Sequence, residues 1–160
     1  MSKVIVIYDS KNGFTERMAK AIVEGVESIK GVDVELHKIG EMFSISKLNA
    51  VDAIIIGSPT IYGSLTSDMR NFLGSVKTLK ESKKLKLSGK IGGVFGSYGW
   101  DGGWVIEQLN TEMKALGIKV VEPLVSEVHE KYDRIDLSEE SYKRCYTLGR
   151  IISDKVLKTK

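Results

Sequence analysis

Three short segments hold most of the residues that could bind a ligand. The first, Asp9-Ser10-Lys11-Asn12-Gly13-Phe14-Thr15, places two hydroxyls, an amide and a glycine where an apolar run, Val4 to Tyr8, gives way to a helical pattern. A helix N-terminus offers unpaired backbone N–H groups and a partial positive charge, so such a loop can cradle a phosphate. Gly13 permits a close backbone approach or a positive φ. The same residues would also make a plain capped turn, with Ser10 or Thr15 satisfying the helix. The second segment, Ser58-Pro59-Thr60-Ile61-Tyr62-Gly63, and the third, Ser97-Tyr98-Gly99-Trp100-Asp101-Gly102-Gly103-Trp104, combine glycine with aromatic residues. Tyr62, Tyr98 and Trp100 in loops would waste apolar surface unless they pack on something flat: a planar ligand, one another, or a partner protein.

Other phosphate chemistries lack their residues. Neither G-x-x-x-x-G-K-[ST] nor G-x-G-x-x-G follows the first apolar run, which removes the main support for a nucleotide triphosphatase or a dinucleotide enzyme. A phosphorylatable receiver domain needs an aspartate where this chain has Gly57-Ser58. A cysteine phosphatase needs its thiol in the phosphate loop, but Cys145, the single cysteine, falls on the apolar stripe of the last helix and reads as a core residue. His37 reads as structural and His129 as a surface residue. The two histidines and the lack of an H-x-E-x-D-type cluster leave no set of metal ligands.

The elements that must carry these loops follow from hydrophobic periodicity. Short β-branched runs alternate five times with stretches of helical period, the mark of βα units around a parallel sheet. Val4–Tyr8 suits a strand covered on both faces, Ala53–Gly57 is another central strand and Ile91–Gly96 a fourth, thinned by Gly92 and Gly93, whereas Val32–Leu36 alternates and belongs nearer an edge. A fifth strand is expected from Ile118 to about Val125. It contains Pro123, which cannot donate to a ladder, so it should lie at an edge. A short helix is expected over Ile45–Ala50. Helical stripes run through Met18, Ala21, Ile22, Gly25, Val26 and Ile29; Met69, Phe72, Leu73, Val76 and Leu79; and Ile106, Leu109, Met113 and Leu116. The last helix begins at Ser138 as cap, with Glu139 and Glu140 in its first turn and Leu137 and Tyr142 spaced as a staple. Its inner face is expected to hold Tyr142, Cys145, Tyr146, Gly149, Ile152 and Val156. Right-handed crossovers predict a doubly wound five-stranded α/β sheet in the order 2-1-3-4-5, with helices on both faces and one domain over residues 1–160. A ligand would bind beyond the carboxyl ends of the strands, where the three loops lie.

Taken together, Ser10-x-Asn12-Gly13-x-Thr15, Gly57-Ser58-Pro59-Thr60 and Ser97-Tyr98-Gly99-Trp100-x-Gly102-Gly103 resemble the three FMN loops of the flavodoxin-like superfamily. The third is most similar to that of the flavodoxin module of A-type flavoproteins (flavodiiron proteins). The resemblance implies that Ser10, Lys11, Asn12, Gly13, Phe14 and Thr15 hold the FMN phosphate. It implies that Ser58, Pro59, Thr60, Ile61, Tyr62 and Gly63, with Ser97, Tyr98, Gly99, Trp100 and Gly102, border the ribityl chain and ring. A backbone carbonyl within Thr60–Gly63 is expected to face the reduced ring, with Gly63 allowing that peptide to reorient. No catalytic acid or base is needed for a carrier of this kind. The second loop also looks like that of quinone-reducing relatives, although the third lacks their histidine-containing motif. The resemblance thus implies an electron carrier with FMN; an NAD(P)H-dependent quinone or flavin reductase is the enzymatic alternative, and a flavin-free interaction module is a third.

Composition sets outer limits. The chain has 160 residues, a formal net charge of +3, 42% hydrophobic and 28% charged residues, as expected of an ordinary globule. That charge gives no support to nucleic-acid binding. No apolar run is long enough for a membrane span or a signal-peptide core, which points to the cytoplasm. The charges are nevertheless uneven. Glu127 to Glu140 together with Asp101 make the loop edge negative, whereas Lys77 to Lys90, Lys119 and the C-terminal tail make the opposite edge positive. Redox partner proteins of basic surface are therefore expected to dock at the acidic flavin edge.

Overall fold

The computed structural model describes residues 1–99, 103–128 and 136–159. Four strands, β1 (Ser2–Tyr8), β2 (Val32–Lys38), β3 (Ala53–Pro59) and β4 (Ile91–Tyr98), form the body of a parallel sheet. Helices α1 (Phe14–Glu27), α2 (Ser67–Glu81), α3 (Val105–Ala115) and α4 (Glu139–Lys158) cover it. The expected short helix at Ile45–Ala50 is a 3-10 helix. The order is β2-β1-β3-β4, with a fifth position beyond β4, as the crossover rules require.

The fifth position differs from expectation. Two short strands, β5 (Lys119–Val120) and β6 (Val125–Val128), occupy it in turn, and both pair with β4. Pro123 lies in neither: it follows a cis peptide bond after Glu122, in the gap between them. The missing N–H that argued for an edge strand in fact interrupts the ladder, although the edge position is as expected.

Side-chain alternation divides the core into two layers. Val4, Val6 and Tyr8 of β1, with Ala53 and Ile55 of β3, face Met18, Ile22 and Val26 of α1 and Cys145, Leu148, Ile152 and Val156 of α4. Ile5, Ile7, Ile54, Ile56 and Val94 point the other way, onto Met69, Leu73 and Val76 of α2 and Ile106, Leu109 and Met113 of α3. α1 and α4 approach very closely. A Cβ on Gly25 would lie 2.1 Å from the Tyr146 carbonyl oxygen, and one on Gly149 would lie 2.3 Å from that of Ile22.

α4 starts as expected, with the Ser138 hydroxyl accepting from the Ser141 amide. Its inner stripe is shifted, however. Ser141 rather than Tyr142 faces inward, because its hydroxyl donates to the buried carboxylate of Glu127 at 2.7 Å. Tyr142 is exposed, stacks on Tyr146 and donates to Glu24. Cys145 is fully buried, and burial with the nearby Glu127 charge pushes its thiol up to about 12, so it stays protonated at neutral pH. His37 is buried against Phe43, ring on ring at 4.1 Å.

Candidate cofactor site

The first two loops follow β1 and β3, adjacent central strands whose chains then leave in opposite directions, to α1 on one face and α2 on the other. A crevice opens at such a switch point. The third loop follows β4, beside β3.

Gly13 caps α1 with φ 94°, a left-handed conformation open to glycine at little cost. The helix N-terminus is then served by side-chain oxygens. Ser10 Oγ accepts from the amides of Gly13 (3.1 Å) and Glu16 (3.3 Å), and Asn12 Oδ1 accepts from that of Phe14 (3.1 Å). Among the described residues, no hydrogen bond engages the amides of Lys11, Asn12 or Thr15. Phe14 contributes only backbone here, since its ring is buried in the core. Both sequence readings are therefore visible at once: the turn is capped, and it retains free donors where the helix dipole favours an anion.

The second loop is a tight hairpin. Ile61 and Ser64 exchange two backbone hydrogen bonds (2.8 and 3.1 Å), enclosing Tyr62 (φ 50°) and Gly63 (φ 74°). Positive φ at both central residues is the habit of a type I′ turn. For tyrosine this conformation costs about 1–3 kcal/mol, a strain that tends to gather at functional sites. The Tyr62 side chain is fully exposed.

Hydroxyls and one carboxylate tie the three loops together. Thr15 Oγ1 and Ser97 Oγ lie 2.8 Å apart, both buried, which joins the first loop to the third. The Thr60 amide (2.8 Å) and hydroxyl (2.9 Å) both donate to the Ser97 carbonyl, joining the second to the third. The Thr66 hydroxyl donates to buried Asp9 at 2.5 Å while capping α2 through the Met69 amide at 3.1 Å, joining the first to the second. Ser58 is buried, and its hydroxyl donates to the Pro59 carbonyl. Tyr98 and Gly99 are half-buried at the end of β4. Trp100 and Gly102 lie outside the described residues, as do Asp101, His129, Glu130, Lys131, Asp133 and Arg134 from the charge argument.

Asp9 and Thr66 play parts that the loop motifs did not reveal. The signal for Thr66 was a capping residue just before the Met69–Leu79 stripe, with Asp68 in the first turn. Trp104, two-thirds exposed beside the third loop, was likewise passed over as a candidate. One charge assignment changes: Glu127 is buried and held by a two-pronged pair with Arg144, so it adds nothing to an exposed acidic edge. Asp68, Asp136 and Glu139 remain exposed but pair with Lys11, Arg17 and Lys143.

A doubly wound sheet with a capped but donor-rich turn at its switch point offers free amides to an anionic group. The family model described as Flavodoxin matches residues 6–141. The chain belongs to the flavodoxin family, a class of FMN-binding electron-transfer flavoproteins. A solved flavodoxin from the domain Archaea is 34% identical, with a TM-score of 0.81 over 96% of this chain and 98% of that one. An uncharacterized protein of Methanocaldococcus jannaschii is 32% identical over 96% of this chain but only 36% of its own length. An NAD(P)H dehydrogenase (quinone) of Chromohalobacter salexigens is 35% identical over 61% of this chain and 57% of its own. The chain thus spans about a third to somewhat over half of the curated relatives it matches. The fold is also that of about a third of the flavodiiron protein from Giardia intestinalis, with a TM-score of 0.80 and 36% of that chain covered.

Proposed function

We propose that residues 1–160 form one FMN-binding domain that acts as an electron carrier between proteins in the cytoplasm. The observation that carries this reading is the set of unengaged amides at Lys11, Asn12 and Thr15, beside a glycine fixed at positive φ. In this reading the free amides of Lys11, Asn12 and Thr15 and the hydroxyls of Ser10 and Thr15 hold the phosphate. The walls around the ribityl chain and ring are Ser58 to Gly63 and Ser97 to Gly102. Bound FMN supplies one-electron redox chemistry, which the side chains lack. The protein's own task is to position and cover it: Ser97 fixes two loops relative to each other, and the Tyr62-Gly63 turn offers an exposed ring and a peptide free to change orientation. Basic redox partners would meet an edge with exposed Glu140 and would compete with Lys11, Arg17 and Lys143 for Asp68, Asp136 and Glu139, a docking that salt would weaken.

Titration of the purified protein with FMN, followed by visible spectra during stepwise reduction, tests this reading. A flavin band that saturates at one FMN per chain is expected, and its absence would sink the proposal. The relationship to a quinone dehydrogenase favours one alternative, a reductase that itself takes electrons from NAD(P)H. Steady turnover of NAD(P)H with a quinone and no second protein would establish that alternative.

A further inference from the structure

Lys11 is the one cation in the first loop, and the obvious place for it is on the FMN phosphate. The structure gives it other work. Its ammonium lies 3.4 Å from Asp9 Oδ2 and 3.3 Å from Asp68 Oδ2, bridging the end of β1 to the first turn of α2. Asp9 Oδ2 also receives the Thr66 hydroxyl, and Oδ1 receives the Ser10 amide at 2.8 Å. The two carboxylates sit in unlike settings: Asp9 is buried and Asp68 is exposed.

This difference decides where Lys11 belongs. Leaving a buried carboxylate without a counter-charge is costly. Among the described residues, Lys11 is the only cation within ion-pair distance of Asp9. Moving its ammonium to a phosphate would strand Asp9 beside a second concentration of negative charge. Burial alone would lower the Lys11 pKa, but Asp9 and Asp68 outweigh it and raise the value.

We propose that the Lys11 side chain is a positioning group, a latch that closes the first loop against α2 through Asp9 and Asp68, and that its ammonium makes no contact with the FMN phosphate. This rests on the FMN reading above. The latch crosses the switch-point crevice on the outside, and the Asp9 to Thr66 hydrogen bond crosses it within. Together they set the spacing between the loop proposed to hold the phosphate and the loop proposed to face the ring.

The two roles predict opposite signs for one substitution. FMN dissociation constants are measured by flavin fluorescence for the unaltered chain, Lys11→Met, Asp68→Asn and the double variant, each across a range of NaCl. If Lys11 is a latch, either single change weakens FMN roughly three- to ten-fold, and the double change is no worse than the weaker-binding single variant. Because the latch is a solvent-exposed ion pair, its loss flattens the dependence of affinity on salt, and does so alike in both single variants. If Lys11 is a phosphate ligand, Asp68→Asn frees it and tightens FMN, and Lys11→Met flattens the salt dependence while Asp68→Asn does not. Either result overturns the latch, as does unchanged affinity in both single variants. Failure of the unaltered chain to bind FMN would overturn the functional reading itself, a result read from a different sample.

Discussion

On the face covered by α1 and α4, Gly25 and Gly149 bring two helix backbones into direct contact, whereas on the opposite face Gly74 of α2 has no atom within 4 Å of where its Cβ would stand. There α2 and α3 flank a groove of about 550 Å3 lined by Arg70, Leu73, Lys77, Glu107 and Glu112 among others. α1 presents the donor-rich turn, so its position is fixed along much of its length by a neighbour that cannot be displaced without breaking the core. α2 is instead secured at the end that matters, where Thr66 caps it and binds Asp9. The middle of α2 is left loosely covered.

The comparison can be broken at several points. The largest effect is expected from Gly25→Ala. Its methyl would meet the Tyr146 carbonyl, and forcing the helices apart should cost about 3 kcal/mol in chemical denaturation. Little loss would mean that α1 and α4 are less tightly apposed than described. Next comes Gly13→Val, which should abolish measurable FMN binding while lowering stability by only about 1–2 kcal/mol, the cost of a left-handed conformation for a residue with a Cβ. Retained affinity in a fluorescence titration would contradict the phosphate-loop assignment. Gly74→Ala should do the reverse of Gly25→Ala and raise stability by about 1 kcal/mol, because the added methyl meets nothing and stiffens the helix. A destabilised variant would show that the groove is filled in solution.

The smallest effect concerns pH. Burial lowers the His37 pKa below its ordinary 6.5, against the opposing pull of Glu41 and Glu35. The unfolded chain therefore binds the proton more readily than the folded one. Stability from this group is complete above the ordinary value and is lost as pH falls from there through the depressed value. His37→Leu should flatten that part of the stability curve.

Much of this architecture is legible along the chain, because a parallel sheet covered on both faces writes itself as apolar runs, and helices write themselves as stripes. Val4 to Tyr8, the Met18 to Ile29 stripe and the Ser138 cap needed no tertiary information. Tyr142 and Pro123 were misjudged for a shared reason. Each sits where a local pattern admits two outcomes, and a distant partner made the choice: buried Glu127 drew Ser141 inward, and β4 paired on both sides of the proline.

For the site, the sequence by itself offered three candidate loops, whose hydroxyls, amides and glycines suit an anionic cofactor as well as a capped turn. It did not determine how the loops are joined. Thr15 meets Ser97 across 82 residues, and Asp9 meets Thr66 across 57. Such links depend on which strands become neighbours and on the register between them. That Lys11 could neutralise Asp9, two residues earlier, is legible in the sequence. Only the tertiary structure decided that Asp9 is buried and that Asp68, 57 residues further on, shares the same ammonium.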